Sequence, residues 1–263
     1  MRDKVKNEAN PSALSIRPHD YRNLISRWKS LSRKYKLDVE TIAKQASFPI
    51  IQISSDTTSD EKVIYLSAGI HGDEVGATEG LFEWARVHLR QFRSRPFVIF
   101  PCLNPWGLIN NSRWDQEGVD LNRVWDNAQH PVVGEIMERI KKMEIGLALT
   151  LHEDYDANGI YLFEPFSGGP PTSVAENILS HASKVIPRDL RSKIEGRTCR
   201  QGIIRPRPNK PPPDGIPEAL HLYHANKCSS FTFETPSEFD LQRRIQAQKV
   251  MIEKAISYYL DTL

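Results

Sequence analysis

The sequence predicts a single α/β domain built on a mixed, mostly parallel twisted sheet with helices on both faces. Three observations carry this. Short apolar runs alternate along the chain with stretches of helical periodicity, as strand–helix–strand units do. Several of those runs, such as Val63 to Leu66, are apolar at every position, as strands covered on both faces must be. The chain's 263 residues show no linker-like break and no internal repeat, so one large core can serve them all.

Residues 1–18 are polar, are interrupted by Pro11 and Pro18, and are expected to form an N-terminal arm, with one folded domain over 19–263. Asp20 can cap a helix in which Leu24, Trp28, Leu31 and Tyr35 recur at helical spacing. Asp38 to Gln45 reads as a second short helix, Phe48 to Ile53 as a strand, and Ser54 to Asp60 as an exposed turn. Val63 to Leu66 is a buried strand. Beyond a glycine bend, Glu74 to Arg90 reads as a helix that buries Val75, Leu81, Phe82, Trp84, Ala85 and Leu89.

Phe97 to Phe100 is another short strand. Asn104 to Trp125 has little periodicity, and a loop that long inside a compact domain is functional or disordered. Residues 131–144 read as helical. Gly146 to His152 is a strand ending in a histidine, with Gly159 to Phe163 as its expected neighbour. A helix is expected over 172–186. Residues 196–217 hold six prolines and five Lys or Arg, so no regular element is expected there. Pro217 to Lys227 reads as a helix, Ser229 to Phe233 as a strand ending at Glu234, and Ser237 to Tyr259 as a long closing helix.

Composition narrows the function by exclusion. A formal net charge of +2 gives no argument for nucleic acid or an anionic membrane as partner. Cys102, Cys199 and Cys228 are widely spaced and odd in number, which suits reduced thiols and not a disulfide framework. Met1 to Asn10 is charged and lacks an apolar signal-like core, and no run approaches membrane-spanning length, so a cytoplasmic location is expected.

The chemistry centres on Ala68-Gly69-Ile70-His71-Gly72-Asp73-Glu74. In an open α/β sheet, the carboxyl ends of the strands are where ligands bind, and His71 stands at such an end with Glu74 in the turn beyond. Imidazole and carboxylate together suit zinc. His152, also at a strand end, is the candidate third ligand, and Glu153 and Asp154 could compete with it. Taken singly, a strand-end His is more often structural and an early-helix Glu more often serves the helix dipole. Their joint placement favours a site of three protein ligands with one open position, the catalytic form. In the long loop, Arg113 and Arg123 offer forks for a carboxylate, Asn122 adds a neutral donor, and Asp120 could accept the second ring N–H of a ligating histidine.

Gly-Ile-His-Gly-Asp-Glu, Asn104-Pro105-Trp106-Gly107, Arg113, Asp120-Leu121-Asn122-Arg123, Leu151-His152 and Phe231-Thr232-Phe233-Glu234 stand in the order found in the zinc metallocarboxypeptidases. The chain resembles the M14 peptidase group, in particular its small intracellular and bacterial members, from about residue 20 onward. The resemblance implies a zinc carboxypeptidase-like (phosphorylase/hydrolase-like) fold and one Zn2+ per monomer, held by His71, Glu74 and His152. It implies Glu234 as general base and Arg113 as the group that polarises the scissile carbonyl. It implies Asn122 and Arg123 as the pair that binds the substrate's terminal carboxylate, and Asp120 as the partner of the first ligating histidine. The implied substrate is a peptide or small amide with a free carboxylate.

Two departures stand out. The secreted members carry a mobile tyrosine before the last strand, and residues 205–217 contain none; Tyr223 is nearest but falls in the expected helix. The side-chain pocket cannot be aligned through the Pro-rich stretch. Three rivals remain. One is an N-acyl amino acid deacylase of the aspartoacylase or succinylglutamate desuccinylase type, which shares the metal site and an Asn-Arg pair. The second is a non-catalytic peptide-binding protein. The third is an anionic polymer bound by Arg197, Arg200, Arg205, Arg207 and Lys210, which the lack of interleaved aromatics disfavours.

Overall fold

The computed structural model describes residues 16–55, 61–165, 173–207, 209–210 and 212–262. Most of the expected N-terminal arm and of the turn before Glu61 therefore lies outside the described residues.

Helix α1 (Tyr21–Tyr35) is capped by Asp20, whose carboxylate accepts from Asn23 N at 2.9 Å, and it buries Leu24, Trp28 and Leu31. Asp38–Gln45, expected to be helical, is strand β1 and forms an antiparallel hairpin with β2 (Phe48–Ser54). The ladder with β2 supplies partners to the backbone groups on one side of β1, and Val39, Thr41 and Ile42 are β-branched residues that a helix handles poorly. A register shift between Thr41 and Ala43 blurs the alternation that would have revealed the strand.

The middle of the sheet follows expectation: β3 (Val63–Ala68), α2 (Val75–Phe92) and β4 (Phe97–Phe100). The long loop contains α3 (Pro105–Asn110), missed because it is so short. Its start is signalled by Asn104, which accepts from Gly107 N, and by proline in the first turn. The chain continues through α4 (Val133–Ile140), β5 (Ile145–Asp154), β6 (Tyr161–Phe163) and α5 (Val174–Ala182).

The Pro-rich region also holds structure: β7 (Lys193–Ile194), β8 (Arg197–Arg200) and β9 (Ile203–Ile204). Two-residue turns join them, Glu195-Gly196 and Gln201-Gly202, all four residues at positive φ. That is the turn that matches the twist of a hairpin. Helix α6 (Glu218–Asn226), β10 (Ser229–Pro236) and α7 (Leu241–Asp261) complete the chain.

The strand order is β1-β2-β4-β3-β5-β10-β6-β9-β8-β7. The main parallel part is central, β4-β3-β5-β10; antiparallel pairs extend it at both ends, with β6 and β9 a further parallel pair. Strand β6, expected beside β5, pairs instead with β10, which lies between them. Side chains divide by parity. Ile64, Leu66, Leu147, Leu149, Phe231 and Phe233 pack on one face with α1, α2, α5 and α7; Tyr65, Val98, Phe100 and Ala148 pack on the other with α4 and α6. Each fully buried Leu, Ile or Phe stabilises by about 1.5–3 kcal/mol, so both helical layers are fixed to the sheet. Arg27 on α1 is buried against Glu79 on α2, with Nη1 donating to Oε2 at 2.8 Å and Nη2 to Oε1, and its guanidinium carbon lies 4.6 Å from the centre of the Phe82 ring. Among the described residues no helix is long and apolar enough to cross a membrane.

Candidate metal centre

Three adjacent strand ends build the site. The turn after β3 carries His71, and Gly72 lets it pass against α3: a Cβ there would lie 1.9 Å from the Gly107 carbonyl carbon. Glu74 is the residue before the first turn of α2, not within it. On the neighbouring β5 stands His152. One ligand atom from each of His71, Glu74 and His152 lies within 4.8 Å of the others, and all three residues are buried. His71 Nδ1 is 2.5 Å from Glu74 Oε1, and His152 Nδ1 is 3.0 Å from Glu74 Oε2.

The donor set fits a zinc ion. Glu74 Oε2 is buried with no aligned hydrogen-bond donor, an acceptor left over by the protein alone. His71 Nε2 is taken by Asp120 Oδ1 at 3.1 Å, so Nδ1 is the nitrogen that remains for an ion. Burial on its own would lower the His71 pKa, but Glu74's charge and the hydrogen bonds from Asp120 and Glu74 push it up to about 9. Against the opposing effect of burial, the charges of His71 and His152 hold Glu74 down at about 2. The cluster is a buried charge arrangement that a dication can enter in place of protons.

Around it stand the other expected residues. Glu234 on β10 pairs in register with His152, which sets the candidate base beside a candidate ligand. Burial, then the charges of Glu74, Glu195 and Asp154, raise its carboxyl well above the ordinary range. Arg113 donates through Nε and Nη2 to Asp120 Oδ2 at 3.1 and 2.9 Å, and its Nη1 lies 3.3 Å from His71 Nδ1. Asn122 Oδ1 accepts from Glu218 N at 2.9 Å, leaving its amide N–H groups as donors. Arg123 Nε donates to Asp214 Oδ2 at 2.6 Å and Nη1 to the Asn122 carbonyl at 2.9 Å. His71, Glu74, Arg113, Asn122, Arg123, His152 and Glu234 all line one cavity of about 1180 Å³. Asp120 reaches it only through His71 and Arg113.

The two possible competitors for the ligand role are otherwise engaged. Glu153 accepts from Gly76 N and Arg244, and Asp154 accepts from Tyr161 Oη at 2.9 Å. Strand alternation, which turns residue 153 to the face opposite 152, was the available signal. Tyr223 does not line the cavity, whereas Tyr155, 72% exposed, does. Sequence reasoning also missed Glu218, buried on the far side of Asn122 and bonded by Tyr65 Oη at 2.5 Å. Asp214 on Arg123 was missed as well, since it belongs to the segment that could not be aligned.

Residues 60–154 match the family model of the succinylglutamate desuccinylase/aspartoacylase catalytic domain, a span that includes the three ligand candidates and stops before Glu234. No curated protein matches the chain in sequence. Among solved structures, a candidate metallopeptidase from Shewanella denitrificans superposes with a TM-score of 0.82 at 19% identity, covering 91% of this chain and 90% of that one. A metallo-carboxypeptidase from Burkholderia cenocepacia gives 0.71 at 17% identity, covering 94% of this chain and 71% of its own. The fold is that of the metallo-carboxypeptidases. A further carboxypeptidase of this kind, from Pseudomonas aeruginosa and bound to (2-guanidinoethylmercapto)succinic acid, matches with a TM-score of 0.65 at 17% identity, over 90% of this chain and 68% of its own. Carboxypeptidase fold, family match and His-Glu-His cluster together support a metallo-hydrolase of the superfamily that includes both groups.

Proposed function

We propose that the chain is a zinc-dependent metallocarboxypeptidase that removes a C-terminal residue from a peptide or peptide-like amide. The observation that carries this reading is Arg123. It lies on the wall of the cavity holding the metal cluster and already binds a carboxylate, that of Asp214, whose side chain is 59% exposed and so can be displaced. Asn122, its amide donors directed by the Glu218 N–H on its oxygen, completes a carboxylate-binding pair.

His71, Glu74 and His152 would hold the zinc. When bound, zinc supplies Lewis acidity, drawing charge from a carbonyl and making water acidic enough to react near neutral pH. Glu234 takes the proton from the attacking water and delivers it to the leaving amine, a role that contributes roughly a hundred- to ten-thousand-fold. Burial and its acidic neighbours raise its proton affinity, which suits the return step. Arg113, fixed by Asp120, stabilises negative charge developing on the substrate oxygen. The three free cysteines, all buried, accord with a reducing compartment such as the cytoplasm.

A second reading, an N-acyl amino acid deacylase, has the family match over residues 60–154 in its favour. A substrate panel separates the two. Peptides with a free C-terminus, the same peptides amidated, and short acyl-amino acids are compared by kcat/KM. Amidation should cost about thirty-fold or more, the low end for a truncated charge pair, because Arg123 is partly exposed. Turnover of acyl-amino acids with no cleavage of any peptide would replace the carboxypeptidase reading with the deacylase one.

A further inference from the structure

Glu74 opens helix α2, yet its side chain makes no capping hydrogen bond, because both carboxylate oxygens face His71 and His152. The first N–H groups of a helix need acceptors from elsewhere. Here one comes from a different strand: Glu153 Oε2 accepts from Gly76 N at 2.7 Å. The other oxygen of Glu153 accepts from Thr235 Oγ1 at 3.0 Å, and Arg244 Nη1 donates to Oε2 at 2.7 Å.

One turn further along α7, Gln248 Nε2 donates to the carbonyl oxygen of His152 at 2.7 Å and lies 3.2 Å from Thr235 Oγ1. Glu153 and Gln248 are buried. The packing is close enough to require glycine on α2: a Cβ at Gly76 would lie 2.2 Å from Glu153 Oε1, and one at Gly80 2.4 Å from Gln248 Cβ. These bonds connect the start of the helix behind Glu74, the end of the strand bearing His152, and Thr235, next to Glu234. They join the three segments that assemble the centre, and α7 adds Arg244 on Glu153 and Gln248 on the His152 carbonyl and Thr235.

We propose that Glu153, Arg244 and Gln248 form a clamp by which α7 sets the spacing of Glu74 and His152, and with it the affinity for the metal. The proposal rests on the metal-centre reading above. Glu153 acts as a positioning residue: its carboxylate is bonded to three donors and to neither imidazole. Without it, the first turn of α2 loses an acceptor and Arg244 loses its partner, so Glu74 is free to shift relative to His152. Ligand spacing is what a three-ligand site must hold to bind tightly, and partners one bond removed from such ligands are typically worth about ten- to a hundred-fold in affinity.

The test uses the full chain and reads zinc affinity by chelator competition, the visible spectrum of the cobalt-substituted protein, and circular dichroism. Glu153→Ala should keep the wild-type circular dichroism while binding zinc about ten- to a hundred-fold more weakly, with an altered cobalt spectrum. Glu153→Gln, which keeps an oxygen for the Gly76 N–H, should recover part of the loss. If Glu153→Ala does not fold, Gln248→Ala carries the test, since it leaves Glu153 in place and removes the bond to His152. Wild-type affinity and cobalt spectrum in the folded variant would overturn the clamp and leave the metal centre standing. No zinc binding by the wild type would overturn both.

Discussion

Replacing Glu234 by Gln keeps the shape of the side chain and removes its ability to take up a proton as a carboxylate. The structure gives two effects of opposite sign. Turnover should fall by at least about a hundred-fold, or about 2.7 kcal/mol in the barrier, the low end for losing a general base. Stability of the metal-free protein should rise. Burial and the charges of Glu74, Glu195 and Asp154 raise the Glu234 carboxyl well above its ordinary 4.5. As pH climbs past that ordinary value the unfolded chain loses its proton first, so the native state loses stability up to the raised value. Gln carries no such cost. Metal-free Glu234→Gln should therefore melt higher than wild type at pH 7, and the difference should shrink as pH falls toward 4.5. The assay pairs kcat/KM on a cleaved peptide, with zinc content verified, with melting curves of the metal-free protein across pH. Near-normal turnover in the zinc-loaded variant refutes the assigned base. A lower melting point at pH 7 refutes the electrostatic argument.

Asp214→Ala should free Arg123 and lower KM for carboxylate-bearing substrates by up to about five-fold with kcat unchanged, since an exposed pair is worth about 0.2–1 kcal/mol; a raised KM would show that Asp214 does not compete with substrate. Glu79→Ala strands the buried Arg27 guanidinium and should cost about 3–5 kcal/mol by denaturant titration, most of it regained in Arg27→Met/Glu79→Leu; a single-variant loss under about 1 kcal/mol would contradict that burial. Burial pushes Glu218 up to about 7, so wild-type stability should fall as pH rises from 4.5 to 7, and Glu218→Gln should flatten that fall. Equal slopes in the two proteins would place the pH dependence elsewhere.

The ligand candidates were legible because they share a local rule: apolar strand, polar residue at its carboxyl end. His71 and His152 each satisfy it within a few residues, and β3 and β5 proved to be neighbours. The hairpins at the start of the Pro-rich stretch are also written locally, as Glu195-Gly196 and Gln201-Gly202, but their strands of two to four residues are too short to show a period. Strand β1 was not legible, because its ladder with β2 decides its conformation and periodicity over eight residues does not. Arg244 and Gln248 were beyond reach for another reason. Periodicity says that α7 buries a face, but not that the face meets the carbonyl of His152, 96 residues earlier. The role of Glu153 is not legible either, since its partners lie on α2, β10 and α7, far from it in sequence.

The order of the strands has a consequence for a chain emerging from the ribosome. By the end of β5, both histidines and Glu74 have been made, along with β3 and β4, which flank them. Glu234 arrives only with β10, which takes its place on the far side of β5, and the helix behind the clamp is made after that. Domains fold as units, and the nascent chain carries the proposed metal ligands well before it carries the proposed base. On the proposed mechanism, turnover has to wait for β10, which brings Glu234 beside His152.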